Sequence, residues 1–307
     1  MADYIAIDGG TTNTRLALLR EGKVAHVRRL SLGARSEKEA YKAALRREIA
    51  GLLLEGGIGE EQVECILASG MITSEYGLCQ IPHLPLPAGG RELHERMHRV
   101  VLEEISPIPF FFIPGLKSQG KLEEADVMRG EETEVLGLWQ GGEDILYVLP
   151  GTHSKHITLD PAGQVRQFCT LMTGELFAAV SGYTVLKDAL SLEEEARKED
   201  LCRGAAYAKT HGINEALFKT RVLKNLLGAS GQEAYGFLLG AVLSAEVEAI
   251  LAAPQSTVVI GGQGQMRRAL GQLLQGKGKT LRLLSDQEVA ESVFLGACRI
   301  YEWGRIG

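Results

Sequence analysis

The chain has 307 residues, of which 45% are hydrophobic and 23% charged, enough for about two globular domains. Its formal net charge of −6 gives no basic face, which argues against a nucleic-acid partner. Five scattered cysteines without a C-x-x-C pair read as reduced thiols of a cytoplasmic protein. The five-residue apolar stretch before Gly9 is too short for a secretion signal, and no membrane partner is expected.

In chain order, residues 4–8, 13–20 and 24–30 read as three strands joined by tight turns, an antiparallel meander. A helix is expected over 36–54, with Ser36 as its cap, Glu39 completing a capping box, and Ala40, Ala43, Ala44, Ile49 and Leu53 on its apolar side. A strand at 63–68, a helix at 91–104 and a strand at 110–113 follow. The second half repeats this order: strands at 145–149, 153–159 and 164–169, helices filling 175–252, then strand 257–260, helix 265–274, strand 281–284 and a closing helix at 287–303. The fold class expected is α/β, two lobes each with a mixed sheet and flanking helices. The first lobe is placed at 1–120 and the second at 121–307, with the last helix free to pack back on the first. Chemistry is expected in a cleft between them.

Four segments carry chemical grammar. In IAIDGGTTNTR (5–15) an apolar strand ends at Asp8, then Gly9 and Gly10 let the backbone approach a polyanion, and Thr11, Thr12 and Asn13 add donors. Asp8 would repel phosphate but can hold Mg²⁺, directly or through water, so a metal–phosphate ligand suits the set. LYVLPGTHSKHITL (146–159) repeats the pattern with Gly151, Thr152, His153, Ser154 and the cation Lys155. TVVIGGQGQM (257–266) ends a buried strand in Gly261 and Gly262, a flat backbone on which a purine can lie. It is not a dinucleotide fingerprint, and no Walker-type loop occurs in the chain. ADVMRGEETEVLGL (125–138) reads as a helix started by Asp126, whose carboxylate could instead be a general base; Arg129 could pair with an acidic group, while Glu131 and Glu132 read as solvated charges. Residues 94–98 match H-E-x-x-H, but Arg91, Glu92, Arg96 and Arg99 around His94 and His98 describe an ordinary charged helix rather than a zinc site.

Taken together, the segments resemble the actin, Hsp70 and sugar kinase superfamily, whose lobes are actin-like, or ribonuclease H-like, with ATP in the interlobe cleft. On that resemblance 5–15 is the first phosphate loop, 146–159 the second, 257–266 the adenosine loop and 290–298 a connecting helix with small Gly296 and Ala297. SGMITSEYG (69–77), DVMRGEE (126–132), LPGTHSKH (149–156) and MTGELF (172–177) are similar to the 2-dehydro-3-deoxygalactonokinase family across nearly the whole chain. The resemblance implies ATP-dependent phosphorylation of the 6-hydroxyl of 2-keto-3-deoxy-galactonate, with Asp126 as base and Asp8 beside magnesium. Two departures stand out: many members carry Asp-Trp-Gly where this chain has Asp8-Gly9-Gly10, and Trp in place of His156. Substrate contacts are expected from Ser69, Gly70 and Met71, with Arg15, Arg129 and Lys155 as candidate cations. Partners are ATP and an acidic sugar, and a homo-oligomer is left open. Competing readings are another acidic-sugar kinase, a zinc hydrolase, a nucleotide hydrolase without acceptor, and a non-catalytic sugar sensor, the last disfavoured because the first strand begins at Tyr4 with no DNA-binding module before it.

Overall fold

The computed structural model describes residues 2–304. The chain opens with the meander β1 (Asp3–Gly9), β2 (Thr14–Arg20) and β3 (Lys23–Leu30). Helix α1 (Lys38–Gly56) then leads to β4 (Val63–Gly70), a two-residue β5 (Leu84–Pro85), α2 (Gly90–Glu95), β6 (His98–Leu102) and β7 (Ser106–Phe112). Short strands β8 (Leu116–Ser118) and β9 (Asp126–Met128) precede α3 (Glu131–Leu138). The main sheet runs β3-β2-β1-β4-β7-β6, with β1 antiparallel to β2 and parallel to β4. Ile5, Ile7, Leu16, Leu18 and Ile66 meet Tyr41, Leu45, Ile49 and Leu52 of α1 in one apolar core.

The second stretch is built on β10 (Ile145–Leu149), β11 (Ser154–Leu159), β12 (Val165–Leu171), β13 (Thr257–Ile260) and β14 (Thr280–Leu283), ordered β12-β11-β10-β13-β14. Counted within each sheet, the first runs 3-2-1-4-6-5 and the second 3-2-1-4-5, so the two share the order 3-2-1-4 and the repeat seen in the sequence is a repeat of topology. Between β12 and β13 lie α4 (Thr173–Tyr183), α5 (Lys198–His211), α6 (Ile213–Asn225) and α7 (Gly231–Ala252); α8 (Gly264–Leu274) separates β13 from β14, and α9 (Asp286–Trp303) closes the chain. By length and mean hydropathy (1.6) α7 could cross a bilayer, yet 72% of that window is buried inside the protein, as befits a central core helix.

Contacts divide the chain into two compact units. One comprises Met1–Glu143, Leu159–Phe168 and Gln287–Gly307, the other Asp144–Thr158 and Cys169–Asp286. Residues 121–143, expected with the second lobe, are thus grouped with the first.

Three expected elements differ. Helix α1 is capped by Glu37, whose carboxylate accepts from the amides of Glu39 (3.0 Å) and Ala40 (2.7 Å), while Ser36 Oγ accepts instead from Gly33 N. The buried stripe is accordingly Tyr41, Ala44, Leu45, Glu48, Ile49, Leu52 and Leu53, and Ala40 and Ala43 are exposed. The helix expected over 91–104 ends at Glu95, because the segment from His98, with β-branched Val100 opposite Phe110, pairs instead with β7. His94 and His98 therefore lie on different elements, without the shared helical face that H-E-x-x-H needs. The helix expected from Asp126 is split: Asp126 opens β9 opposite Ser118, and Gly130, at φ 112°, turns the chain into α3, so the N-cap of α3 is Gly130 and not Asp126.

Candidate active site

In the first unit, the carboxyl ends of β1 and β4 lie side by side, with Asp8 beside Ser69 and Gly9 beside Gly70. Such ends are where open α/β sheets bind ligands. The chain leaves β1 in a turn closed by Gly10 N donating to Asn13 O (2.9 Å), and the next segment buttresses it through Ala34 N to Gly10 O and Arg35 N to Thr11 O. The amides of Thr11 and Thr12 donate to no acceptor among the described residues, and Thr12 and Asn13 are exposed. This is a turn with donors to offer, as the glycine–hydroxyl pattern implied.

Arg15 faces Asp8 across the β1–β2 pair. Its Nε and Nη2 both donate to Asp8 Oδ2, at 2.9 and 2.7 Å. Nη1 reaches Ala290 O of α9, and the guanidinium lies 5.5 Å from the Phe294 ring centroid. Helix α9 is able to come this close because it crosses α3 at glycines: a Cβ on Gly137 would sit 1.9 Å from Ser292 O, and one on Gly296 1.8 Å from Thr133 O. Arg15 is therefore a partner of Asp8, leaving Asp8 Oδ1 directed toward Gly70, where a Cβ would approach it to 3.3 Å. Gly70 itself is at φ 85°, a conformation that favours glycine.

Ser69 is fully buried and its Oγ has no hydrogen-bond partner among the described residues. Met71 begins the 3-10 turn Met71–Thr73 that continues from Gly70. Arg129 grips this region: Nη1 donates to Thr73 O (2.8 Å) and Thr73 Oγ1 (2.5 Å), Nη2 to Ile81 O (2.9 Å), with His83 Nδ1 at 3.3 Å. Burial lowers its pKa. Asp126 is partly exposed, its Oδ1 accepts from Val127 N (2.7 Å), and it lines an open concavity of about 600 Å³ with Lys117, Ser118 and Val127.

The sequence reading missed two carboxylates. Glu132, read as solvated, is wholly buried; both its oxygens accept from Gly130 N (2.9 and 2.8 Å) and Oε1 also from Thr133 Oγ1 (3.0 Å). Burial, reinforced by Glu131, pushes its pKa up to about 7. Glu134 is pushed to about 8 by burial and then by the charges of Asp8 and Glu131, and its Oε1 has no hydrogen-bond partner among the described residues. A glycine followed two residues later by glutamate, at the start of a helix, was the available signal for Glu132.

In the second unit, β10 and β13 are the parallel neighbours. Their loops interlock: Gly261 N donates to Val148 O (2.9 Å), Gln263 N to Pro150 O (2.6 Å), and a Cβ on Gly262 would meet Pro150 O at 2.2 Å. Arg267 reinforces this turn through Nη1 to Gly262 O (3.2 Å) and an ion pair with Asp286. The start of α4 closes on the same loop, since a Cβ on Gly174 would lie 2.1 Å from Gly151 O and Glu175 N donates to Thr152 O (3.0 Å). Half-exposed His153 is held by Glu175 (2.8 Å). Gly151 N points to Ser154 Oγ (3.4 Å), whereas the amides of Thr152 and His153 have no acceptor among the described residues. Lys155 is buried and donates to Thr170 Oγ1. Segments 150–155, 173–175 and 261–264 thus form one cluster, as 8–15, 69–73 and 129–134 do in the first unit.

Among the described residues no group of three or more His, Cys, Asp or Glu side chains is gathered to hold a metal ion.

Comparison with known proteins bears on the same residues. A family model described as 2-keto-3-deoxy-galactonokinase matches residues 8–295. The chain is similar to the 2-dehydro-3-deoxygalactonokinase of Escherichia coli (strain K12), 31% identical over 250 residues and 80% of each chain. It is also similar to a probable 2-dehydro-3-deoxygalactonokinase of Rhizobium meliloti (strain 1021), 27% identical over 96% of each. A crystal structure of a Sinorhizobium meliloti protein under the same provisional name superposes with a TM-score of 0.81 over 98% of both chains, at 24% identity. Component A of the (R)-2-hydroxyglutaryl-CoA dehydratase of Acidaminococcus fermentans, at 15% identity over 99% of both, shares the fold with a TM-score of 0.56.

Proposed function

Because the chain belongs to the 2-keto-3-deoxy-galactonokinase family, we propose that it transfers the terminal phosphoryl group of ATP to the 6-hydroxyl of 2-dehydro-3-deoxy-D-galactonate in galactonate breakdown. It is a carbohydrate kinase with ATP as co-substrate. The observation that carries the residue assignments is the matching pair of donor-rich glycine turns, each at the carboxyl end of the first strand of a sheet whose order begins 3-2-1-4.

Phosphoryl transfer needs positioning and charge stabilisation more than covalent help from the protein. Gly9, Gly10, Thr11, Thr12 and Asn13, with Gly151, Thr152, His153 and Ser154, offer amide and side-chain donors to the phosphates. Lys155 lends positive charge to its loop from a buried position, and Gly261 and Gly262 supply the flat surface for the adenosine. Asp8 would hold magnesium through Oδ1 or its waters, with Arg15 fixing Oδ2; when bound, the cation neutralises charge that develops on the phosphates. Asp126 takes the proton of the acceptor hydroxyl. Ser69, Gly70 and Met71 form the sugar-facing turn. Arg129 acts by holding that turn, and Lys117, in the wall shared with Asp126, attracts the acid group of the substrate. The scattered cysteines and the metabolic role suit a cytoplasmic enzyme.

The test is a steady-state panel of 2-dehydro-3-deoxy sugar acids with ATP, read as ADP release, for the wild type and Asp126→Asn. The galacto epimer should give the highest kcat/KM, and Asp126→Asn should lose at least 100-fold in kcat while ATP binding persists. Full turnover by Asp126→Asn removes that residue from the role of base. Preference for a different acid removes the substrate assignment.

A further inference from the structure

Beneath the second glycine turn lies a buried acid–imidazole pair that the reaction as described does not use. Glu246, in the middle of α7, is 0% exposed and its Oε2 lies 3.3 Å from Nε2 of His156, itself 6% exposed. Burial alone would raise the Glu246 pKa, but hydrogen bonding and charge from His156, with the hydroxyls of Thr173 and Ser154, outweigh it and hold the carboxylate below its usual range. Its Oε1 makes no hydrogen bond among the described residues.

The location of this pair is informative. Ser154 and His156 are alternate residues of β11, so both side chains point to one face of the strand, toward α7. Ser154 Oγ in turn receives Gly151 N (3.4 Å), and Thr173 begins the helix whose Gly174 abuts Gly151 O. The carboxylate therefore stands where the strand leaving the turn and the helix closing on it converge. A pair of this kind is a poor device for stability: well-packed apolar residues in place of a buried ion pair are often as stable or more so. Elsewhere α7 buries Leu238, Leu239, Leu243, Val247 and Ile250, and apolar packing would serve equally at Glu246 were stability its only role.

We propose that Glu246 is a positioning residue which, through His156 and Ser154, fixes the Gly151–Ser154 turn in the geometry that receives the phosphates of ATP. This rests on the assignment of that turn as a phosphate loop. It gives nucleotide affinity a dependence on a core residue that never touches the nucleotide.

The experiment separates stability from positioning. KM for ATP, KM for the sugar acid and Tm are measured for Glu246→Gln, for the apolar pair Glu246→Leu with His156→Leu, and for Thr152→Ala as a reference in the turn itself. The expected result is a KM for ATP about tenfold higher in Glu246→Gln, with KM for the acid within twofold. The apolar pair should keep a Tm close to wild type while its KM for ATP stays raised. If it does not fold, Glu246→Gln alone decides by the same split between the two KM values. An unchanged KM for ATP, or an equal rise in both, overturns the proposal. Should Thr152→Ala raise KM for ATP while the Glu246 variants do not, only the positioning role falls; should Thr152→Ala also have no effect, the phosphate-loop assignment falls with it.

Discussion

Arg129 offers a stringent test of the proposal that the Gly70–Thr73 turn of the first unit faces the sugar. Its guanidinium donates to two backbone carbonyls, Thr73 O and Ile81 O, and to Thr73 Oγ1. Thr73 is fully buried and Ile81 nearly so, so water cannot readily replace a lost donor. Hydrogen bonds to a charged group contribute about 1.5–3 kcal/mol each. Arg129→Met therefore forfeits roughly 3–6 kcal/mol over the two carbonyls, offset in part because the buried guanidinium no longer has to be desolvated; a net loss of about 2–4 kcal/mol is expected. At roughly 2–4 °C per kcal/mol, Tm should fall by about 4–16 °C. Arg129→Lys keeps the charge but cannot span both carbonyls, so its loss should be intermediate. Kinetically, both variants should raise KM for the sugar acid about tenfold or more and leave KM for ATP within twofold. Differential scanning fluorimetry and steady-state kinetics on the same preparations read both effects. A wild-type KM for the acid in Arg129→Met, alongside the fall in Tm, would show that the Gly70–Thr73 turn does not bind the sugar. A KM rise in Arg129→Met that Arg129→Lys wholly restores, without recovery of Tm, would show a direct charge contact instead.

Gly137→Ala should lower Tm although alanine favours a helix by about 1 kcal/mol over glycine, because its methyl would overlap the Ser292 carbonyl; overpacking of this kind costs about 1–3 kcal/mol. An unchanged or higher Tm would refute the close crossing of α3 and α9. Glu132 and Glu134 both have pKa values raised from 4.5, to about 7 and about 8, so the folded state binds more protons than the unfolded one across that interval. Their contribution is complete below about pH 4.5 and is lost as pH rises through about 7 and 8, so wild-type Tm should decline over that range and Glu134→Gln should decline less. Parallel Tm–pH curves would contradict the burial of Glu134. Lys117→Ala should raise KM for the acid and leave KM for ATP unchanged, and kinetics showing no difference in either would remove Lys117 from the acid site.

Much of this architecture is legible in the sequence because its signals are local. The meander at 4–30, the strand 145–149 and the strand 257–260 are short apolar runs bounded by glycine turns, and they form where expected. The glycine turns after Asp8 and Pro150 are equally local. What failed depended on tertiary partners. His98–Leu102 carries a helical stripe, yet an unfilled sheet edge at β7 takes it as a strand. Asp126–Met128 lies within a helical pattern, but β8 pairs with it and Gly130 starts the helix five residues later. Ser36 suited a cap, but its hydroxyl is taken by Gly33 and Glu37 caps instead. The partners of Arg15 and Arg129 within the fold also lay out of reach: nothing local in the sequence marks Asp8 as an acceptor for Arg15, or Thr73 and Ile81 as acceptors for Arg129. Glu132 was misread, and Glu134 passed over, because three glutamates on one short helix describe a solvated face until the helix is buried.

The most direct measurement is the stoichiometry and position of phosphorylation. Purified enzyme is incubated with ATP, magnesium and 2-dehydro-3-deoxy-D-galactonate; ADP is quantified and the product examined by phosphorus–proton correlation NMR. One ADP per molecule of acid consumed, with the phosphate coupled to the protons of C6, is the outcome expected. ADP appearing at the same rate without the acid, or phosphate on a different carbon, would contradict it.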